Sequence, residues 1–504
     1  MHLVPMGSPA TLRTGFDIAV IGGGAAGCVL AARLAASGEG AVVLLEAGPD
    51  VRDDPPPEHA DGWRVSRRND WGYVSEPDER GETSPVRRGR QLGGTSWMTR
   101  FAVRGAPADF DAWVDLGNPG WGFGQVLPYF RRLETDVDFG DRAWHGTDGP
   151  IPVNRYLDLE RTDALASASE AAEAAGLPRV DDHNGPGAVG IGPMPMSSLG
   201  GVRTTATAYL AAVGDRGNLV VHPNAHVDTV VIDGDRAVGV RLVDGTVVDA
   251  TTIVLSGGTY GSPAILMRSG IGPANHLREL GIEVRIDLPG VGANLADHPA
   301  VDLDTGYAGP ARAAPQLHAI ATFHSQWAAS AGAPDLMLWL YDPAGEGPTP
   351  QMTIDVVLLK PECRGAVRLR SADPSDPPLI HLPRPLGRAD LDRLADGYGR
   401  AMEVAAQPAM RRMTAANGPA SPRTGDELRS LIRDASYSVP HVVGTCAMGP
   451  SPASGAVVDA QGRVHGIGNL YVVDASVIPE PPSGFPHLPT IMLAERLAEV
   501  VATA

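Results

Sequence analysis

Residues 16–48 read FDIAVIGGGAAGCVLAARLAASGEGAVVLLEAG, and this stretch decides the fold. Residues 16–21 are mostly apolar and predict a buried strand, which an Ala/Leu-rich helix and a second apolar strand follow. Between the first strand and the helix, Gly22, Gly24 and Gly27 form the pattern G-x-G-x-x-G. That pattern in that context predicts a βαβ unit whose glycine turn binds a dinucleotide.

Each of the three positions is glycine for a separate physical reason. Gly22 permits the tight turn, Gly24 lets the backbone approach a pyrophosphate, and Gly27 lets the helix pack closely on the strand. The helix N-terminus offers free N–H groups and the positive end of its dipole to the phosphates. Glu46 ends the second strand, where a carboxylate accepts hydrogen bonds from ribose hydroxyls and repels a 2′-phosphate. NADP is therefore disfavoured, and the turn alone leaves FAD and NAD open.

Composition excludes several other classes of protein. The 504 residues are 43% apolar and 20% charged, as in ordinary globular proteins, and the net charge of −18 disfavours nucleic acid or an anionic membrane as a partner. Three scattered cysteines make neither a disulfide framework nor a zinc motif, and they predict a reducing, cytoplasmic location. We find no signal-peptide core at the start and no apolar run of about 18 residues, so no membrane span is predicted.

Motifs further along the chain are more specific. They are RRGRQLGGTSWMTRFAVRGAPADFDAW (87–113), GGTYGSPAILMRSGIGPANHLRELGIEVRIDLPGVGANLADHP (257–299), HVVGTCAMG (441–449) and VVDASVIPEPPSGFPHLPTIMLAERLAE (472–499). In this order they resemble the glucose–methanol–choline (GMC) family of FAD oxidoreductases, and the resemblance covers nearly the whole chain. It implies FAD as cofactor and oxidation of a small-molecule alcohol (CH–OH donor) to an aldehyde or ketone. Oxygen or another redox acceptor would take the electrons.

The resemblance also implies a discontinuous two-domain α/β fold. A Rossmann-like FAD-binding domain would take residues 12–50, 85–110, 200–300 and 450–504. A substrate-binding α+β domain on an antiparallel sheet, with lid segments, would take residues 51–84, 111–199 and 301–449.

Three local patterns refine this expectation. Residues 224–258 alternate apolar and polar residues between Asp-Gly turns, which predicts a three-stranded meander that returns to the main sheet. Residues 352–371 predict a strand pair of the substrate-binding domain. Residues 305–350 are rich in Ala, Gly and Pro and predict loops and short helices over the pocket.

Two histidines are the catalytic candidates. His441 matches the histidine of the family's H-x-V-G-T motif, and His487 matches a position that is His or Asn in the family; the family brings both over one face of the flavin. One neutral imidazole would accept the hydroxyl proton and the other would hydrogen-bond the developing alkoxide, while the hydride goes to flavin N5. His298, in NLADHP, is predicted to be structural, and Cys446 to serve packing. No histidine pattern has metal-ligand spacing, so no metal site is predicted.

The predicted cofactor contacts come from the glycine turn and from the motifs of the family. Val227 would lie where the backbone meets the adenine, and Asp474 suits ribityl or ribose hydroxyls, with a helix N-cap as its alternative role. The last helix would be amphipathic, with its N-terminus toward the flavin. The complete set is Gly22, Gly24, Ala25, Ala26, Gly27, Glu46, Ala47, Arg90, Gly93, Gly94, Thr95, Ser96, Thr99, Val227, Gly257, Asp474, Ala475, His487, Leu488 and Pro489.

The loop that follows Gly93 departs from the family pattern. Thr99 stands where the family usually has Asn, and Trp97 and Arg100 are unusual neighbours for it. Some members tether FAD through a histidine in this loop, and none occurs between Gly93 and Gly105. The sequence therefore predicts FAD that is not covalently bound.

Three other functions fit the same fold. The first is a redox-silent lyase of the hydroxynitrile-lyase type, in which FAD is structural and the histidine only moves a proton. The second is a light-driven decarboxylase, which the paired histidines suit less well than alcohol oxidation. The third is a flavin-binding partner protein without turnover. The sequence indicates neither the particular alcohol nor the oligomeric state.

Overall fold

The fold is known from a computed structural model that describes residues 15–38, 40–55, 69–309, 317–343, 352–414 and 424–503. The helices of these ranges are α1 (Ala25–Ser37), α2 (Pro107–Asp115), α3 (Phe123–Leu133), α4 (Asp163–Ala174), α5 (Thr207–Val213), α6 (Gly258–Arg268), α7 (Ala274–Glu279), α8 (Arg388–Ala405), α9 (Pro408–Arg411), α10 (Gly425–Ala435) and α11 (His487–Ala502). Short 3₁₀ helices occur at Gly94–Met98, Pro452–Ser454 and Ala475–Val477.

The strands divide between two large sheets and several short ribbons. They are β1 (Phe16–Ile21), β2 (Val42–Leu45), β3 (Tyr73–Val74), β4 (Pro85–Val86), β5 (Glu134–Asp136), β6 (Ile151–Val153), β7 (Gly190–Pro193), β8 (Ser198–Leu199), β9 (Val202–Arg203), β10 (Leu219–His222), β11 (Val227–Asp233), β12 (Arg236–Leu242), β13 (Val247–Leu255), β14 (Ile271–Gly272), β15 (Ile286–Asp287), β16 (Pro299–Asp304), β17 (His318–Phe323), β18 (Leu336–Tyr341), β19 (Thr353–Leu358), β20 (Ala366–Arg368), β21 (Leu379–His381), β22 (Tyr437–Ser438) and β23 (Leu470–Val472).

The first sheet contains the predicted βαβ unit. Its strand order is β10-β2-β1-β13-β12-β11, and β23 also pairs with β13. The strands β10, β2, β1, β13 and β23 run parallel, with α1 as the crossover between β1 and β2. The antiparallel strands β11, β12 and β13 form the predicted meander, and β13 returns beside β1. The α/β fold class and the meander are therefore confirmed.

The second sheet is antiparallel, with the order β22-β16-β19-β18-β17-β7. It corrects two predictions. Residues 352–371 are not a strand pair, because β19 pairs with β16 and β18 whereas β20 pairs with β21 in a separate ribbon. Residues 305–350 are not only loops, because β17 and β18 lie within them. Four of the six residues of β18 and all six of β17 are buried, so neither strand shows the polar alternation that marks a half-exposed strand.

The two faces of the second sheet pack differently. Alternate residues such as Val301, Leu338 and Val356 belong to a large core with α4 and α8. Their neighbours Ala300 and Met337 join a smaller cluster that includes Phe485, from the segment before α11. This second face is therefore the one that meets the residues leading to His487.

Helix α11 is buried all round in its first nine residues, so the amphipathic character predicted for it is found only in its last two turns. Twelve of its sixteen residues are buried, and it packs against α1 and α3. Even Glu495 has no exposed side-chain surface, and its carboxylate accepts hydrogen bonds from Arg33 at 2.6 Å and Tyr209 at 2.6 Å. Arg496, Glu499 and Val500, in the last two turns, keep some exposed surface.

A buried charge network joins the segment after Gly93 to the loops beside it. Nδ1 of His145 lies 2.8 Å from Glu134 and its Nε2 lies 2.9 Å from Asp182. Two guanidinium groups balance the acids, with Arg104 2.8 Å from Glu134 and Arg155 2.7 Å from Asp182. In the described part of the chain, Glu134, Asp136 and His145 form one group with donor atoms close enough for a metal. The two arginines already supply positive charge to these acids, and the absence of a metal site stays a prediction.

The charge of His145 makes this network sensitive to pH. Burial opposes its charge, but hydrogen bonds to Asp182 and Glu134 outweigh burial and raise the pKa of His145. The stabilisation is therefore complete below the ordinary imidazole pKa of about 6.5 and is lost as the pH rises through the raised value. We expect His145→Gln to lose about 3–5 kcal/mol at low pH and less above the raised pKa.

Thermal unfolding across pH 5–9 measures this effect, with the exposed His381→Gln as control. If His145→Gln and the control lose the same stability at every pH, the imidazolium does not hold the network together.

Across the described ranges, no helix combines the length and apolar character that crossing a membrane requires.

Candidate active site

Two glycines of the turn are required by packing, because a Cβ at either position would collide with the backbone, whereas the third borders open space. A Cβ on Gly22, which has φ +99°, would lie 2.5 Å from the carbonyl oxygen of Ser256, and a Cβ on Gly27 would lie 1.8 Å from that of Gly22. A Cβ on Gly24 would meet no atom of the described residues within 4 Å. Helix α1 begins one residue later, so Gly24 leaves room directly in front of the helix N-terminus. A phosphate group fits there, because the first N–H groups of a helix have no partner within the helix.

Glu46 is fixed beside this turn at the end of β2. Its buried carboxylate accepts hydrogen bonds from the N–H groups of Gly23 and Gly48, both at 2.8 Å. Burial outweighs these bonds and raises the pKa of Glu46 to about 7. The N–H of Ala225 donates to the Glu46 carbonyl at 2.7 Å, which places the start of β11, with the predicted adenine neighbour Val227, next to this strand end. Each carboxylate oxygen keeps a second lone pair for a ribose hydroxyl.

The segment after Gly93 crosses the glycine turn directly. The N–H of Gly93 donates to the carbonyl of Gly23 at 2.7 Å. A Cβ on Gly94 would lie 2.8 Å from the Cα of Gly24. Positive φ angles of +93° at Gly93 and +50° at Gly94 make glycine the natural residue at both positions. The structure therefore joins the two glycine motifs, which the sequence keeps about seventy residues apart, into one cradle.

Seven further predicted residues lie on the segments that form this cradle. The Ser96 hydroxyl donates to the Gly93 carbonyl at 2.6 Å, and Thr95 accepts from the N–H of Gly89 at 3.4 Å. The guanidinium of Arg90 lies over the Trp71 ring at 4.9 Å. Thr99 follows the 3₁₀ helix in extended conformation. Ala25 and Ala26 open α1, and Ala47 lies between Glu46 and Gly48.

Asp474 fills the role of a cap in this structure. Its buried carboxylate accepts hydrogen bonds from the N–H of Ser476 at 2.8 Å, the hydroxyl of Ser262 at 2.6 Å and the N–H of Gly258 at 2.9 Å. It thus caps the 3₁₀ helix that begins at Ala475 and ties it to the start of α6 after Gly257. This is the alternative role that the sequence left open, and a contact with cofactor hydroxyls stays a prediction.

His441 lies beside a histidine that the sequence assigned to structure. Its backbone N–H donates to Asp297 at 2.7 Å, and its ring Nδ1 lies 3.1 Å from the Nδ1 of His298. Asp297 also accepts from the N–H of His298 at 2.8 Å, so one carboxylate holds both histidines. Of two Nδ1 atoms at this distance, one must donate and the other accept, so the tautomers of the two rings are coupled.

Both rings of the pair are neutral. Burial, the neighbouring His298 and Arg88 lower the pKa of His441 well below its usual value. Burial and Lys360 lower the pKa of His298 to about 3. If His441 donates at Nδ1, its Nε2 is unprotonated and able to accept a proton. His298 therefore belongs to the candidate site, and the motif NLADHP, which matches the family, was the available signal.

His487 begins α11 and has an unsatisfied nitrogen. The residue is 8% exposed, and its buried Nε2 has no hydrogen-bond partner among the described residues. Burial and Arg203 lower the pKa of His487 to about 4, so its ring is neutral as well. A buried polar atom without a partner is rare in native structures and fits a site that a ligand completes. Leu488 and Pro489, predicted cofactor neighbours, are buried in the same first turn.

Phe485 links the two catalytic candidates. It lies two residues before His487, and its ring centroid is 4.5 Å from that of His441. Cys446, five residues after His441, is buried, and burial holds the pKa of its thiol well above the usual value. Cys446 therefore stays protonated, which removes the thiolate that a cysteine nucleophile requires.

Comparison with known proteins defines the class of enzyme to which the chain belongs. Sequence models of the GMC oxidoreductase family match residues 16–300 and residues 361–494. The chain therefore belongs to the GMC oxidoreductases, FAD-dependent enzymes of the alcohol oxidase or dehydrogenase type.

Individual relatives cover the chain almost end to end. The chain is 36% identical to 5-(hydroxymethyl)furfural oxidase of a Methylovorus species, over 97% of this chain and 99% of that protein. It is 33% identical to the oxygen-dependent choline dehydrogenase of Photobacterium profundum, over 97% of this chain and 93% of the relative. Among solved structures, pyridoxine 4-oxidase from Mesorbium loti superposes with a TM-score of 0.88 at 30% identity, covering 97% and 99% of the two chains.

Proposed function

We propose that this enzyme oxidises an alcohol at a site formed by His441, His298 and His487. FAD, when bound, supplies the acceptor for the hydride at N5 of its flavin ring. The observation that carries the proposal is the contact between the neutral His441 and His298 rings beside Phe485, two residues before the orphaned Nε2 of His487. The related proteins named as an oxidase of a hydroxymethyl compound and a choline dehydrogenase support this chemistry.

Each histidine has a separate role in the proposal. His441 accepts the proton of the alcohol at Nε2, since its Nδ1 faces His298. His298 fixes that tautomer and, through Asp297, the position of the ring. His487 donates a hydrogen bond from Nε2 to the developing alkoxide, which stabilises negative charge where it forms. The low pKa values keep all three rings neutral at physiological pH, as proton acceptance by His441 requires.

The residues of the cradle fit FAD. Gly24 and the start of α1 would hold the pyrophosphate, Glu46 would hold a ribose, and Gly93 and Gly94 would pass beside the cofactor. The two sheets support the proposed division of the chain, because β1, β2, β10–β13 and β23 form one and β7, β16–β19 and β22 form the other. The exact domain limits, the cytoplasmic location and the electron acceptor stay predictions.

FAD that is not covalently bound should separate from the denatured protein. Because the segment from Gly93 to Gly105 has no histidine, acid precipitation should release all of the flavin into the supernatant. Absorbance of the supernatant and the pellet near 450 nm measures the split. Flavin that stays in the pellet after washing in denaturant would show a covalent bond.

Alcohol oxidation is tested most simply without oxygen. A panel of primary and secondary alcohols, mixed anaerobically with the purified holoenzyme, should include members that bleach the flavin absorbance. Admission of air then separates an oxidase, which recovers its oxidised spectrum quickly, from a dehydrogenase, which needs another acceptor. If a compound is converted while the flavin stays oxidised throughout, the redox-silent lyase is the better description.

A further inference from the structure

Lys360 is the only lysine among the 41 lysines and arginines of the chain, and its ammonium lies beside the candidate site. It follows the end of β19, and the antiparallel register of β19 and β16 places it next to His298, which precedes β16. The ammonium forms an ion pair with Asp109, whose side chain is fully buried, and donates to the carbonyl oxygen of Pro481 at 2.6 Å. One side chain therefore connects the second sheet, helix α2 and the segment that precedes α11.

Asp109 binds the same segment directly. One of its carboxylate oxygens accepts a hydrogen bond from the backbone N–H of Ser483 at 2.7 Å, and the other accepts from the Ser483 hydroxyl at 2.9 Å. The first oxygen also accepts from the N–H of Ala106, at the start of α2, at 2.8 Å. Loss of the ammonium would leave this buried carboxylate without its ion-pair partner, which is costly in a protein interior. We call Lys360 and Asp109 the Lys–Asp clamp, because together they hold residues 481–483.

The segment held by the Lys–Asp clamp leads directly to two residues of the candidate site. Phe485, whose ring contacts that of His441, lies two residues beyond the segment, and its N–H donates to the carbonyl of Val103 at 3.1 Å. His487 lies two residues further on and begins α11. Because so few residues intervene, a displacement of residues 481–483 would move Phe485 and His487 relative to His441.

The ammonium of Lys360 also acts on the charge of His298. Burial, and then the charge of Lys360, lower the pKa of His298 to about 3, whereas the carbonyl groups of Pro482 and Leu359 act in the opposite direction. The charged or titratable groups around His298 and its partner ring are Lys360, His441, Asp297 and Arg88. Loss of the ammonium would raise the pKa of His298, so that the ring would take up a proton at a higher pH. A protonated His298 carries hydrogens on both nitrogens and no longer accepts a hydrogen bond from Nδ1 of His441.

We propose that Lys360 is a positioning residue, because the Lys–Asp clamp holds the segment that places Phe485 and His487 beside the paired histidine rings. This inference rests on the proposed function, since it assigns the lysine a task in that reaction. A lysine suits the position because its compact ammonium directs separate N–H groups at a carboxylate and a carbonyl. The planar guanidinium of an arginine would keep the charge but would displace one of these two acceptors.

Anaerobic stopped-flow reduction of the holoenzyme by a saturating alcohol tests the position and the charge separately. Lys360→Met, which removes the charge, should slow reduction per bound flavin by about tenfold to a hundredfold, because the reacting groups are misplaced. The low-pH limb of its rate should begin at a higher pH than in the wild type, because the pKa of His298 rises. Lys360→Arg, which keeps the charge, should also be slow but should keep the low-pH limb of the wild type. As a control, Arg388→Met removes the exposed partner of Asp392 and should match the wild type in rate and limb.

A second measurement is independent of turnover. Hydrogen exchange of the backbone amides of residues 483–485 should be about tenfold faster in Lys360→Met than in the wild-type holoenzyme, because the Lys–Asp clamp no longer fixes the segment. If no alcohol reduces the wild-type flavin, the proposed function fails, and the exchange rates still decide whether the lysine holds the segment.

Unchanged exchange, an unchanged low-pH limb or a wild-type rate per flavin in Lys360→Met would each overturn the inference. If Lys360→Met does not fold, Lys360→Arg decides, and a wild-type rate in that variant would overturn the role of the compact ammonium.

Discussion

Changing His441 to alanine should leave FAD bound and the fold intact, yet slow flavin reduction by an alcohol by about 10²–10⁴-fold. The ring packs against Phe485, and the residue is held through a backbone hydrogen bond to Asp297, which alanine retains. The lost group is the neutral imidazole that accepts the hydroxyl proton. Stopped-flow absorbance of the flavin under anaerobic conditions measures the rate constant directly.

The pH dependence of the same rate sharpens this prediction. Because the pKa of His441 is lowered, the base is unprotonated above the ordinary imidazole pKa of about 6.5. The wild-type rate should therefore be flat from that value upward and should fall only as the pH drops below it toward the lowered pKa. His441→Ala should lack this low-pH limb, and the exposed His381→Ala should behave like the wild type. A variant at His441 that reduces its flavin at the wild-type rate would show that the histidine is structural.

Changing Gly24 to valine should abolish retention of FAD while the polypeptide still folds. The backbone of Gly24 is extended with a negative φ of −79°, as in ordinary L residues, and its Cβ would touch no atom of the described residues within 4 Å. The side chain would instead fill the space where the phosphates approach the helix N-terminus. The flavin-to-protein ratio after purification, together with circular dichroism, measures both parts of the expectation.

A matched control is available in another helix. Gly124 lies in the first turn of α3, is exposed, and also has open space where a Cβ would be added. Gly124→Val should therefore keep a full complement of flavin. If Gly24→Val also keeps it, the phosphate site lies elsewhere. If Gly24→Val fails to fold, the space that we assign to the cofactor is needed by the protein itself.

The sequence indicated the parts of this molecule that depend on local chemistry. The βαβ unit could be predicted because its glycines, its helix and its acid lie within about thirty residues, and each has a fixed geometric task. The meander could be predicted because Asp-Gly turns separate its strands. Strands β17 and β18 could not, since burial on both faces removes the alternation from which strands are recognised.

Long-range contacts account for the remaining differences. His298 and His441 are 143 residues apart, and only the fold shows that their rings touch. Helix α11 was expected to be amphipathic, but its first nine residues are buried on every side. The family motif at His441 directed attention to the right segment, whereas the contact between its ring and Phe485 belongs to no pattern that the sequence displays.

The central claim is that an alcohol gives its carbinol hydrogen to the flavin while the histidine site takes its hydroxyl proton. It is tested most directly by anaerobic stopped-flow reduction of the wild-type holoenzyme with an alcohol and with the same alcohol deuterated at the carbinol carbon. We predict loss of the oxidised flavin spectrum, one aldehyde or ketone per flavin, and slower reduction by the deuterated alcohol. Conversion of substrate with the flavin oxidised throughout, or no reduction by any alcohol in the panel, would contradict the claim.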